Sequence, residues 1–143
     1  MIKLFFLKEK FGYKQRELVL LPFPFSDLTS AKVRPALVLS TDAYNATYDD
    51  VIVCTLTTNL SRTDYSVLIQ QTDLENGVLK VPSRVKVDAL IQADQSLILT
   101  SIGRLKASVF EQVLTIFVEL VAQERVLVDK TLYTKWLASQ KTP

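Results

Sequence analysis

Arg34-Pro35-Ala36-Leu37-Val38-Leu39-Ser40, followed after a polar interval by Val51-Ile52-Val53-Cys54-Thr55-Leu56-Thr57-Thr58-Asn59, reads as two buried β-strands. Both runs are short, almost wholly apolar and rich in β-branched residues, which argues for strands inside a sheet rather than helix. Pro35 pushes the residue before it into extended geometry. Arg34 is therefore expected to be held extended where the polar loop Ser26–Val33 gives way to the strand Ala36–Ser40. Upstream, Glu17–Phe25 is strand-like, with prolines that suit a sheet edge or a strand end. Phe23 and Phe25, two apart, share a strand face and are read as core. Downstream, Tyr65–Gln70 alternates, Glu75-Asn76-Gly77 signals a turn, Val78–Leu90 is extended, and Leu97–Ile102 is a further short strand.

The helical signal comes last. Ser108 with Glu111 three residues on has the form of a capping box, and Val109–Val121 follows it. Glu111, Gln112, Thr115 and Glu119 make one polar stripe, and the remaining apolar arc is wider than one core contact requires. That width predicts burial on two sides, by the sheet and by a second subunit. A second amphipathic piece, Leu127–Leu137, carries Trp136, which is expected to anchor the C-terminal extension. About six short strands followed by helix predict a small, partly open β-barrel with a helix packed on it, mainly β with some α. The expected organisation is a single domain over 1–143: a leader at 1–12, barrel and helix at about 14–123, and an extension at 124–143.

Composition narrows the chemistry. The chain has 143 residues, 48% of them apolar, enough for one real core, and a net charge of +2 that permits nucleic-acid binding without arguing for it. Its one cysteine, Cys54, lies in an apolar run and reads as a buried thiol in a reducing compartment. The apolar stretch Leu4–Leu7 is too short for a signal sequence, and no run approaches a membrane span, so a cytoplasmic protein without membrane contact is expected. There is no histidine, which excludes a paired-histidine ribonuclease, a serine–histidine triad and a histidine-bound zinc. The carboxylates are scattered and the three glycines lie far apart, so neither a two-metal site nor a phosphate-cradling glycine loop is expected.

Three segments stand out together: Leu21-Pro22-Phe23-Pro24-Phe25-Ser26-Asp27-Leu28 with Lys32 and the Arg34–Ser40 strand, the Val51–Asn59 strand, and Pro82-Ser83-Arg84-Val85-Lys86-Val87-Asp88, with Ile102-Gly103-Arg104-Leu105 closing the barrel. Their order and spacing resemble those of the MazF/PemK (Kid-type) toxins over roughly Lys14 to Gln123. The resemblance implies an SH3-like barrel with a long C-terminal helix and a homodimer. It further implies sequence-selective cleavage of single-stranded RNA without a cofactor, and neutralisation by a small antitoxin protein. It marks Arg34 and Thr57 as catalytic. Ser83 falls where several relatives place an aspartate or glutamate, so it is carried as a third candidate while the general base stays open. Thr29-Ser30-Ala31 replaces a loop that usually holds a glycine, and Arg16-Glu17 stands where many relatives have Gly-Asp.

The residue chemistry agrees. RNA cleavage without a metal proceeds by attack of the ribose 2′-hydroxyl on its own phosphate, and negative charge builds on the phosphorane oxygens. A fork-shaped guanidinium such as Arg34 suits that charge, and a hydroxyl such as Thr57 donates or orients. Thr58, Asn59, Lys32, Arg84 and Lys86 are the expected RNA-binding residues, and Arg62 and Arg104 are further cations that could line an anionic groove. Two other readings stay open at this point. A CcdB-like gyrase poison shares the implied barrel and cuts nothing, and a degenerate member would bind RNA or antitoxin without cutting.

Overall fold

The computed structural model describes residues 12–23, 32–123 and 130–140. In chain order the elements are β1 (Glu17–Phe23), β2 (Lys32–Val38), α1 (Asp42–Thr47), β3 (Asp50–Thr57), β4 (Ser66–Ile69), β5 (Leu74–Gly77), β6 (Ser83–Asp94), β7 (Thr100–Leu105), α2 (Ala107–Val121) and α3 (Lys130–Gln140). The strands form one curled sheet in the order β4-β6-β3-β2-β1-β7-β5, and the pairs are antiparallel. The expected partly open barrel with a helix packed on it is what forms.

Both faces of the sheet carry apolar side chains, which is why its central strands read as continuous apolar runs rather than as alternation. On one face Leu18, Leu37, Cys54, Leu56, Val85, Val87 and Leu105 pack with Val109, Phe110 and Val113 of α2. On the other, Val19, Leu21, Phe23, Ala36, Val38, Val51 and Val53 form a second cluster with Ala93 and Ile98. Phe23 is core as expected, whereas Pro24, Phe25 and the loop holding Thr29-Ser30-Ala31 lie outside the described residues. Burying one such aliphatic side chain is worth about 1.5–3 kcal/mol, so these clusters hold the sheet in its curl.

Several boundaries differ from expectation. β2 begins at Lys32, so Arg34 and Pro35 lie inside the strand, paired across to Leu21 and Leu20. Glu75-Asn76-Gly77 is not a free turn but most of β5, paired to β7 because Gly77 lies against the Gly103 backbone. The extended stretch expected from Val78 is a strand only from Ser83, and it runs on to Asp94. Gln95–Leu97 is a 3-10 turn, so β7 starts at Thr100 rather than Leu97. The helix α1 was not expected. Thr41 caps it by accepting the Tyr44 N–H, and Asn45 ties it down through bonds to the Tyr13 and Ser40 carbonyls.

The capping box expected at Ser108 does not form. The N-cap of α2 is Lys106, without a side-chain cap, and the Lys106 N–H donates to the Asp73 carbonyl at 2.9 Å. The chain thus enters the helix two residues early, pinned by the turn before β5. The C-terminal helix α3 is shifted relative to Leu127–Leu137, and residues 127–129 lie outside the described range. Trp136 does not show the burial expected of an anchor: it is 55% exposed.

Candidate active site

β-strand parity decides which side chains meet here. On β2, Lys32, Arg34, Ala36 and Val38 share a face, and on β3 so do Val51, Val53, Thr55 and Thr57. The pairs Ala36↔Thr55 and Val38↔Val53 show that these are one face of the sheet. The apolar end of that face holds the second core cluster. Its other end is polar. There Thr57 pairs with Arg84 of β6, which pairs in turn with Leu68 of β4, and Ser66 pairs with Lys86. Continuing the β2–β3 register two residues past Ala36↔Thr55 sets Arg34 level with Thr57, beyond the last pair. Thr57 and Arg84 are thus a registered pair, and Arg34 shares their sheet face one strand away, beyond the end of the β2–β3 pairing.

The register of β3 on β6 is broken inside this region. Val85 to Leu90 stand against Leu56 to Cys54, so several β6 residues bulge at the edge of the site. Such an irregularity bends a strand and re-aims its side chains. The result is an open cleft of about 150 Å³ lined by Thr57, Asn59, Arg62, Ser66, Arg84 and Lys86. Three of these six are cations.

The hydrogen bonds say which of these groups are committed. Thr57 Oγ1 accepts the Asn59 N–H at 3.1 Å, leaving its own hydroxyl hydrogen uncommitted. Asn59 Oδ1 accepts from the Ser61 N–H and hydroxyl. Arg62 is ion-paired with Asp88 and, at 3.2 Å, with Asp64, and those two bonds raise its pKa. Arg84 donates from Nε to the Leu60 carbonyl at 2.9 Å and from Nη1 to the Ser66 hydroxyl at 3.3 Å. No carboxylate among the described residues pairs with Arg84, Lys86 or Arg34.

Of the residues expected from the sequence, Thr57, Asn59, Arg84 and Lys86 line this cleft. Arg34 and Lys32 are exposed on the same sheet face but outside the cleft lining, and Thr58 is exposed beside it. Ser83 is elsewhere. It is 2% exposed, in phase with Val85 and Val87, and its hydroxyl donates to the Val81 carbonyl. Its neighbour Arg84 faces the cleft instead, because consecutive strand residues point to opposite sides. Arg104 is also remote: it lies on β7 against Glu75 and the Gln15 carbonyl. The sequence reading missed Ser66 and gave Arg62 only as one cation among several. Ser66 carries no motif signal, since it reaches the cleft only through the pairing of β4 with β6.

Against known proteins, the sequence matches the profile of the PemK-like, MazF-like toxins of type II toxin–antitoxin systems over residues 14–121. The chain belongs to this family. No curated protein is similar enough in sequence to count as a match. Among solved structures, a MazE–MazF complex from Deinococcus radiodurans superposes with a TM-score of 0.66 at 23% identity, covering 79% of this chain and 99% of that one. An endoribonuclease bound to its cognate antitoxin, from a mycobacterial species, superposes at 0.65 with 14% identity, covering 78% and 97%. The Mycobacterium tuberculosis toxin MazF-mt6 gives 0.58 at 22% identity, covering 73% and 94%. At such identities the likeness is one of fold: this PemK-like chain has the curled sheet and C-terminal helix of MazF structures. The family match also removes the gyrase-poison alternative.

Proposed function

We propose that the chain is the toxin of a type II toxin–antitoxin pair, a metal-independent endoribonuclease that cuts single-stranded RNA. The observation that carries this reading is the Thr57–Arg84 pair in a cleft where Arg84 and Lys86 have no carboxylate partner among the described residues, with Arg34 exposed on the same sheet face, on a chain of the PemK-like, MazF-like family. The ribose 2′-oxygen bonds to phosphorus as the bond to the 5′-oxygen breaks. The 2′-hydroxyl proton passes to water, and a proton from water caps the departing oxygen. The products are a 2′,3′-cyclic phosphate and a 5′-hydroxyl. Arg34 donates to the phosphorane oxygens and the Thr57 hydroxyl orients the reacting group. Ser83 has no part in this scheme, since its hydroxyl is turned into the sheet and committed to Val81. Lys32, Thr58, Asn59 and Lys86 hold flanking nucleotides. The protein acts in the cytoplasm as a homodimer, and a small antitoxin covers the same cleft. That relatives were solved in complex with MazE or with a cognate antitoxin supports the existence of such a partner. Among the described residues no helix is long and apolar enough to cross a membrane.

The test is incubation with a long unstructured RNA in excess EDTA. Cleavage is expected to persist, and Arg34→Ala is expected to slow it by about two to three orders of magnitude. Activity lost in EDTA and restored by magnesium would overturn the metal-independent step. A 5′-phosphate on the product would demand another nucleophile, and wild-type speed in Arg34→Ala would remove Arg34 from the site.

A further inference from the structure

On β6, Ser83, Val85 and Val87 turn inward while Arg84, Lys86 and Asp88 turn outward. Arg84 is directly opposite Thr57 on one side and Leu68 on the other, so it lies in the middle of the polar face. Its guanidinium is held before any ligand arrives. Nε is bound to the Leu60 carbonyl and Nη1 to the Ser66 hydroxyl, which takes two of the five N–H donors that an arginine carries and leaves the rest for a ligand. Neither partner is a carboxylate, so the charge is uncompensated. Arg62, on the same cleft wall, differs: its charge is answered by Asp88 and Asp64.

Ser66 is buried, and its oxygen lies 3.1 Å from the carbonyls of both Arg62 and Thr63. Its hydrogen is therefore given to the loop and its lone pairs remain for Arg84. The network orients the guanidinium fork by fixed bonds, whereas Arg34 is exposed, and no hydrogen bond to a described residue fixes its guanidinium. Fixed donors cost no reorganisation as charge develops, which is where electrostatic catalysis gains most.

We propose that Arg84 is a second catalytic guanidinium, donating to the phosphorane oxygens beside Thr57, and that Ser66 is the positioning residue that aims it. The inference rests on the ribonuclease reading and adds to it a transition-state role for a residue otherwise assigned to RNA binding. Arg84 changes no bond itself. Its contribution is hydrogen bonds that strengthen as the 2′-oxygen bonds to phosphorus.

The experiment is single-turnover cleavage of a defined single-stranded oligoribonucleotide at saturating protein, with RNA affinity measured separately on a 2′-deoxy analogue that cannot react. Arg84→Gln should lower the saturated rate by about a hundredfold and affinity by less than tenfold. Arg84→Lys should recover little of that rate, because one ammonium cannot span Leu60, Ser66 and a phosphate. Ser66→Ala should lower the saturated rate several-fold with affinity unchanged, and Ser66→Thr should restore it. A saturated rate in Arg84→Gln equal to wild type, with weakened binding only, overturns the proposal while leaving the ribonuclease reading intact. Wild-type protein that cuts no RNA overturns both. If Arg84→Gln does not fold, Ser66→Ala decides: an unchanged rate overturns the proposal.

Discussion

Arg16 stands at φ +78°, in the left-handed region that costs a residue with a Cβ about 1–2 kcal/mol. The surrounding structure holds it there. Its N–H donates to the Val38 carbonyl at 3.0 Å, its carbonyl accepts the Leu105 N–H at 2.9 Å, and Nη1 reaches both the Leu105 carbonyl and Glu75 at 2.7 Å. The position where the family resemblance implies a glycine is thus one where the backbone adopts a positive φ. Arg16→Ala keeps the strain and loses the side-chain bonds, while Arg16→Gly loses both, so the glycine variant should be the more stable by about 1 kcal/mol in urea. Coincident unfolding midpoints for the two would show that the strain is not felt. Cys54 is the other residue with a readable cost. Burial pushes its thiol from the ordinary 9.0 up to about 12. Above pH 9 the unfolded chain gives up this proton before the folded chain does. The unfolded state then binds fewer protons, so stability falls with rising pH until about 12. Cys54→Ala, whatever its absolute stability, should lose less between neutral pH and pH about 11 than the parent does. Parallel stability curves for the two proteins would rule this out.

At the scale of elements, the joint between β5 and β7 leaves no room for a Cβ at Gly77 or Gly103. A Cβ on Gly103 would come 2.6 Å from the Asn76 carbonyl oxygen and 3.1 Å from the Gly77 Cα. Both are backbone atoms of a paired strand, so neither can yield as a flexible side chain would. Gly103→Ala should destabilise the fold by about 1–3 kcal/mol and speed amide exchange in β5 and the start of α2, which the Lys106–Asp73 bond ties to the turn leading into that strand. A thermal midpoint equal to wild type would contradict this packing. The same joint explains why Glu75-Asn76-Gly77 misleads as a turn: the local residues favour one, and the second glycine, far along the chain, makes room for a strand. On β6 the alternation of small and charged residues gives the parity, but only pairing with Thr57 of β3 shows that the outward set forms a wall of the cleft.

For the whole molecule, α2 shows how far one chain covers its own apolar surface. Val109, Phe110 and Val113 are buried against the sheet, Ile116 and Phe117 pack at its edge, yet Leu114 is 38% and Val121 54% exposed. This agrees with a helix whose apolar arc exceeds what one sheet can cover, and a two-fold partner laid on that side would bury the remainder. Sedimentation at micromolar concentration should show a dimer, and Leu114→Glu should shift it toward monomer without lowering the thermal midpoint of a dilute, dissociated sample. A wild-type chain that sediments only as a monomer at that concentration would leave the exposed arc without its partner.

Read as a string, the chain determines a great deal here. The apolar runs at Ala36–Ser40 and Val51–Thr57 and the helix ending at Val121 suffice for the sheet and its helix, because strand and helix periodicities are local properties; Arg34 and Thr57 come forward as candidates through the motif order that resembles the toxin family. The string also shows that histidine chemistry is excluded. What it does not contain is which strand lies beside which. The cleft joins Thr57 of β3, Arg84 of β6 and Ser66 of β4, on a face that Arg34 of β2 shares. The choice between Ser83 and Arg84 turned on a single step of parity, because a shift of one residue moves a side chain from the cleft to the core. The alternation along β6 separates the two sets, and only the pairing of β6 with β3 and β4, with Val85 and Val87 buried, decides which set faces the cleft.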